Sequence, residues 1–278
     1  MKLLLFSGSH SRHVFFHKAL VDAFDVAGVV CMSRENVRPE PDAALTERDR
    51  SLFRRHFETR AAVEGRTYDG LDISDLTAPA PSLMVEPAEL NSIEVRDFVR
   101  DSGADACVIF GTDLIFDPVL SALPAWRLNL HLGLSPWYRG SATLFWPFYF
   151  LQPQFAGATI HQIIPAPDGG QIVHHVVPEL KRGLGLHDVA AEVVVRSREA
   201  MVKLLLVLER VGRLPTEEQR SSGKLFLSKD FEPQHLRLIY ELYEDRIVDE
   251  WLDGRLGNRT PRLVDAFSKI PVQGPSVD

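Results

Sequence analysis

The sequence predicts an α/β protein built on an open, mostly parallel twisted sheet with helices on both faces, followed by a small C-terminal appendage. Three observations predict it. The chain opens strand, helix, strand; short apolar runs ending in Gly or polar turns alternate with amphipathic stretches; and Leu186 to Val211 carries Val, Leu and Met at helical period. A strand-helix-strand opening builds parallel pairs. Lys2 to Ser7 is the first strand, Ser7-Gly8-Ser9 its turn, His13 to Phe24 the first helix and Val26 to Cys31 the second strand. Residues 33 to 75 are charged with both signs mixed, which predicts a helix over Asp42 to Glu64 with a solvated face. Thr77 to Ser82, with Pro79 and Pro81, reads as a stiff connection. A helix over Ile93 to Asp101, a strand over Asp105 to Phe110, a short helix over Pro118 to Leu123 and a strand over Arg127 to His131 follow. Ser141 to Leu151 reads as an aromatic-rich helix, Gly157 to Ile163 and Gln171 to Val177 as strands, and Pro233 to Leu252 as a late helix. The resulting division is a main domain over 1–212 and an extension over 213–278, mostly helical or irregular.

A chain of 278 residues, 45% apolar and 25% charged, is long enough for one substantial α/β domain with an appendage. Its net charge of −7 gives no general basic field, which argues against a nucleic-acid partner. Cys31 and Cys107 sit in apolar runs and read as core residues rather than a disulfide or metal pair. The apolar start is too short for a signal peptide, and no stretch approaches a membrane span. A cytoplasmic location is the expectation, with no membrane partner.

The most informative stretch is Asn129-Leu130-His131, which ends an apolar run. Residues i and i+2 of a strand face the same side, so amide and imidazole can address one reacting atom. Pro136 and Gly140 then turn the chain away, leaving the pair at a strand's mouth, where open α/β sheets place ligands. Asn129 and His131, then Pro136, Tyr138, Arg139 and Gly140, then Gly157-Ala-Thr-Ile-His161, then Asp168-Gly169-Gly170 occur in order. This combined pattern, over roughly residues 80–212, resembles the folate-dependent formyltransferase family. That family includes glycinamide ribonucleotide transformylase, methionyl-tRNA formyltransferase and sugar-nucleotide N-formyltransferases.

The resemblance implies a Rossmann-like formyltransferase fold, 10-formyltetrahydrofolate as formyl donor, and Asn129, His131 and Asp168 as the catalytic set. The residues suit those roles: formyl transfer passes through a tetrahedral species whose oxygen turns negative, and amide and imidazole N–H groups are donors for it. A carboxylate near His131 favours the protonated ring and can relay the amine's proton. Phe110, Gly111 and Thr112 end another strand and read as a cofactor wall or as plain strand termination. By resemblance, the loop Ile163, Ile164, Pro165 to Asp168 borders the pterin, and Gly169 lets the backbone approach a flat ligand. Its prolines replace acidic residues that many relatives carry there. Gly8, Ser9 and Ser11 form either an ordinary tight turn or an anion site for the acceptor. Arg139 either braces its loop or meets an anionic substrate. Gly133 stands where the family often has serine, and Ser135 two positions later is the candidate substitute. His10, His13 and His17 read as a partly exposed polar face, and His174-His175 alternate across a strand, so no metal site is expected.

The expected enzyme is an N-formyltransferase acting on a primary amine of a small molecule, such as an amino sugar nucleotide. The extension carries 10 Lys and Arg against 12 Asp and Glu over 213–278, a poor clamp for tRNA. One alternative is a formyltetrahydrofolate hydrolase. Such relatives usually carry an N-terminal regulatory domain, whereas the first strand here begins at residue 2, which lowers this reading. Another is a non-catalytic binding protein on the same scaffold, which would not need all three polar residues. A nucleotide-dependent oxidoreductase is disfavoured because the first turn lacks the Gly-x-Gly-x-x-Gly pattern. The late helix leaves a homodimer open.

Overall fold

The computed structural model describes residues 1–34, 38–68, 70–219 and 223–270; parts of the 33–75 interlude and of the 213–278 extension lie outside the described residues. Among the described residues nine strands run in chain order: β1 (Lys2–Gly8), β2 (Asp25–Met32), β3 (Ser82–Val85), β4 (Ala106–Phe110), β5 (Trp126–His131), β6 (Tyr138–Gly140), β7 (Ala158–Gln162), β8 (Ile172–Val176) and β9 (Lys224–Phe226). The α-helices are α1 (Ser11–Ala23), α2 (Glu47–Tyr68), α3 (Ser74–Thr77), α4 (Ile93–Ser102), α5 (Val119–Ala122), α6 (Trp146–Tyr149), α7 (Leu186–Val211) and α8 (Ile247–Leu252). Seven strands form one sheet in the order β3-β2-β1-β4-β5-β7-β8. The first five pair in parallel, and β7 and β8 return antiparallel beyond β5. The mostly parallel sheet expected from the sequence is therefore present.

Both faces are covered, which explains why the parallel strands read as continuous apolar runs. Leu3, Leu5, Val108 and Leu128 pack under α1 and α7 through Phe16, Leu20, Met201 and Leu204. On the opposite face Leu4, Phe6, Cys107 and Ile109 meet Val95 and Val99 of α4 and Val119 and Leu120 of α5. Cys31 and Cys107 are buried and free. A third, aromatic cluster joins Tyr138, Phe145, Trp146, Phe155 and Phe226 to Leu236, Ile239, Ile247 and Val248. Among the described residues no helix is long and apolar enough to cross a membrane.

Several elements differ from the sequence reading. Ser141 to Leu151 yields only the single turn of α6: Pro147 lies in its first turn, and Ala142 takes a positive φ of 53°, so turns precede it. Pro233 to Leu252 is broken into a 3-10 turn, a π-helical turn at Leu238–Leu242 and α8. Glu244 and Asp245 have positive φ there, and the Asp245 carboxylate accepts from the Leu186 N–H at 3.0 Å. A tertiary cap on α7 thus overrides helical continuity. The edge strand β3 and the two-stranded sheet of β6 and β9 were not expected; both are too short to show an alternating pattern. The expected solvated face of α2 is only part of that helix, because Leu52, His56, Val63 and Tyr68 are buried.

Candidate active site

Leu128 and Leu130 of β5 point into the α1/α7 core, so Asn129 and His131 emerge on the other face, beyond the cover of α5. Across the antiparallel pair, Asn129 lies opposite His161 and His131 opposite Thr159. The loop between β7 and β8 carries Asp168 back over this strand end. Asp168 Oδ1 stands 3.4 Å from His131 Nδ1 and 3.5 Å from His161 Nε2. Its Oδ2 accepts from the Gly140 N–H at 2.8 Å. Asn129 Nδ2 lies 3.1 Å from His161 Nε2. The three residues singled out from the sequence are brought together, with His161 as a fourth member.

Carbonyl partners fix both imidazoles. His131 Nε2–H donates to Tyr138 O at 2.9 Å, and His161 Nδ1–H donates to Gln162 O at 2.8 Å. In each neutral ring the remaining nitrogen is then a lone pair, Nδ1 of His131 and Nε2 of His161. The first faces Asp168, and the second faces Asp168 and accepts from Asn129. Burial lowers the pKa of His131, and although Asp168 and the Tyr138 carbonyl act in the opposite direction, the net shift is downward. Asp168 does favour the protonated ring, as the sequence reading held, but desolvation is the larger effect. Burial alone would raise the Asp168 pKa, but His131, His161 and the Gly140 N–H together hold it well below the ordinary carboxylate range. The carboxylate thus faces the two remaining ring nitrogens at 3.4 and 3.5 Å, beyond good hydrogen-bond distance.

A cleft of about 1000 Å³ opens over these residues. Asn129, His131, His161 and Asp168 line it, as do Phe110, Gly111, Thr112, Ile163, Ile164 and Pro165. Gly169 stays in the loop behind Asp168, and Arg139 is turned from the cleft to donate Nε–H to Pro167 O at 3.1 Å. Gly8, Ser9 and Ser11 do not line the cleft either. A side chain at Gly8 would lie 2.4 Å from Gly111 O, because β1 and β4 close together at the sheet's switch point. Ser9 Oγ instead accepts from the Arg34 N–H at 2.9 Å, and Arg34 reaches the cleft. From α1 the lining residues are Arg12 and His13. His10, His13 and His17 are buried, not partly exposed, and among the described residues no group of side chains could hold a metal ion.

The far wall comes from α2 and α7, with His56, Phe57, Arg60, Glu64, Tyr68 and His187. Arg12 and Arg60 both pair with Glu64 Oε1, at 2.6 and 3.0 Å. This wall escaped the sequence reading because mixed charge along a helix looks the same whether it faces water or a cleft. His161 had a weak signal: it ends the quoted Gly157 segment, but only the β5/β7 register places it opposite Asn129. Ser135 is fully buried, its N–H bound to Thr159 Oγ1 at 2.8 Å and its carbonyl to His175 at 2.9 Å. It is not among the residues that line the cleft.

No family model matches the chain. It is 28% identical over 193 residues to the methionyl-tRNA formyltransferase of Methylobacillus flagellatus, covering 68% of this chain and 57% of that protein. It is 31% identical over 191 residues to the methionyl-tRNA formyltransferase of a Mycobacterium species, covering 67% and 57%. The chain therefore spans less than two thirds of the length of these relatives. Among solved structures, a 4-N formyltransferase from Francisella tularensis superposes with a TM-score of 0.54 at 16% identity, over 83% of this chain and 77% of that one. An N-formyltransferase from Helicobacter canadensis, in complex with folinic acid and dTDP-3-aminofucose, gives 0.50 at 14% identity, over 84% and 73%. At such identities the likeness is one of fold.

Proposed function

This chain belongs to the folate-dependent formyltransferase family, and from that premise we propose that it moves a formyl group from 10-formyltetrahydrofolate to a primary amine of a small molecule. The observation that carries the reading is the convergence of Asn129, His131 and Asp168 on one strand end. The same reading assigns the catalytic fold to residues 1–212 and treats 213–278 as an extension.

The cleft suits the donor. At its mouth Leu114 and Phe116 are each 48% exposed and Ile164 is 41% exposed, beside Phe110, Ile163 and Pro165. Such walls fit a flat heteroaromatic ring that would cover them. When bound, 10-formyltetrahydrofolate supplies the formyl carbon. One N–H of Asn129 is directed at His161, which leaves the second to meet the oxygen that becomes negative. His131, pinned by Tyr138 O, has Nδ1 free to exchange a proton. The Asp168 carboxylate beside it stabilises the imidazolium so formed; the amine's proton passes to Nδ1 directly or through water as the amine bonds to the formyl carbon, and is then given to the folate N10 as the formyl C–N10 bond breaks and tetrahydrofolate leaves.

A small-molecule acceptor is favoured over tRNA by the acidic balance of residues 213–278. An amino sugar nucleotide is the acceptor class we favour, supported by the fold shared with a structure that holds dTDP-3-aminofucose. The test is an acceptor screen with carbonyl-labelled 10-formyltetrahydrofolate over amino sugars, their nucleotide conjugates and amino acids. Label in an amide product supports the proposal. Label released as formate at the same rate in buffer alone would mean a hydrolase, and absence of folate binding would leave only the scaffold.

A further inference from the structure

The chain does not leave the site after α7. Residues 216–219 run alongside the loop that carries Asp168 and are zipped to it. Thr216 Oγ1 donates to Gln171 Oε1 at 3.0 Å, Glu217 and Ile172 exchange reciprocal backbone hydrogen bonds of 2.8 Å, and Gln171 Nε2 donates to Glu218 Oε1 at 2.5 Å. Gln219 in this strap donates from Nε2 to Asp168 O at 2.7 Å and to Gly170 O at 2.8 Å. Lys269 pairs with Glu217 from the other side.

The loop needs such a hold. Ile164, Pro165 and Ala166 are exposed, and its two prolines donate no hydrogen bonds. Asp168 itself takes a φ of +46°, a conformation that non-glycine residues keep only when their surroundings impose it. Arg139 holds the carbonyl before it and the Gly140 N–H holds one carboxylate oxygen. The backbone carbonyls of Asp168 and Gly170, on both sides of the turn, are held by Gln219. One primary amide has two N–H groups, and Gln219 uses both there.

We propose that Gln219 is a positioning residue: its amide fixes the backbone of Asp168 so that the carboxylate faces His131 and His161, making residues 216–219 a part of the active site. This rests on the formyl-transfer reading for its purpose, but its test does not. Replacing Gln219 by Leu removes both donors at similar size; Gln219→Asn is shorter and reaches one carbonyl at best. The carboxyl of Asp168 is followed by carbon-13 NMR in full-length protein labelled at aspartate, and assigned by its loss in Asp168→Asn. No folate or amine is added.

With the strap cut, the carboxylate drifts from the imidazoles and the Gly140 N–H, so at neutral pH, where the fold holds, the Asp168 carboxyl resonance should move in Gln219→Leu, together with the Gly140 amide proton that now points at it. Gln219→Asn should move them less, and it decides the matter if the leucine variant does not fold. A merely structural strap would lower the thermal midpoint and leave the Asp168 carboxyl and Gly140 amide resonances where they are in the wild type. That result in a folded variant overturns the proposal and leaves the formyl-transfer reading untouched. Failure of the wild type to transfer formyl groups would do the reverse.

Discussion

Gly133 offers the sharpest test of the site's packing, because the family often places serine at this position. A Cβ built there would lie 2.6 Å from His131 Nε2, 2.6 Å from Tyr138 O and 2.7 Å from Thr143 Cβ. Two of those atoms are the donor and acceptor of the hydrogen bond that orients His131. Tyr138 O is backbone within β6, which pairs with β9, so it cannot swing aside as a surface side chain would. Gly133→Ala should therefore cost about 2 kcal/mol through overpacking. For a domain of this size that lowers the thermal midpoint by roughly 4–8 °C. A displacement of His131 by about 1 Å should slow turnover about 100-fold. Gly133→Ser should behave alike, despite matching relatives. The assay is steady-state formyl transfer beside thermal unfolding. An alanine variant with wild-type rate and midpoint would refute the reasoning that the close approach at Gly133 sets the imidazole.

Asn129→Ala should lower turnover about 100- to 1000-fold while folate binding, measured by calorimetry, is kept. Replacing His161 by Leu removes the acceptor that orients the Asn129 amide and should cost about tenfold or more; an unchanged rate would remove His161 from the site. Acid should unfold the protein early. Burial holds His17 and His175 at about 4 and His187 at about 3, below the ordinary value near 6.5. A depressed histidine pKa contributes stability above the unfolded value that is lost as pH falls toward the folded one. His17 and His175 should each lose on the order of 3 kcal/mol between pH 6.5 and 4. Asp245, raised by burial to about 6, works oppositely, its contribution fading as pH rises through that value. A urea midpoint that stays flat from pH 6.5 to 4 would contradict this.

How far the sequence led can be followed residue by residue. The parallel strands were legible because helices cover both faces, which leaves apolar runs such as Leu3-Leu4-Leu5-Phe6. Asn129 and His131 were legible because strand parity alone puts them on one side. What periodicity does not carry is contact between distant segments. The register that sets His161 opposite Asn129, the pairing of β6 with β9, and the capping of α7 by Asp245 all depend on where other segments lie. Helix α2 shows the same limit, since Arg60 and Glu64 satisfy each other and Arg12 inside a cleft as well as they would in water. Gln219 gave no signal: a glutamine in a polar stretch acquires its role only where two carbonyls lie within reach.

On this mechanism the Asp168 carboxylate governs the proton released by the attacking amine. The decisive measurement is single-turnover transfer of labelled formyl from enzyme-bound 10-formyltetrahydrofolate in wild type and in Asp168→Asn. The variant should bind folate as the wild type does, stay folded, and transfer the label at least about 1000-fold more slowly. Equal transfer rates in the two proteins would remove Asp168 from the proton's path.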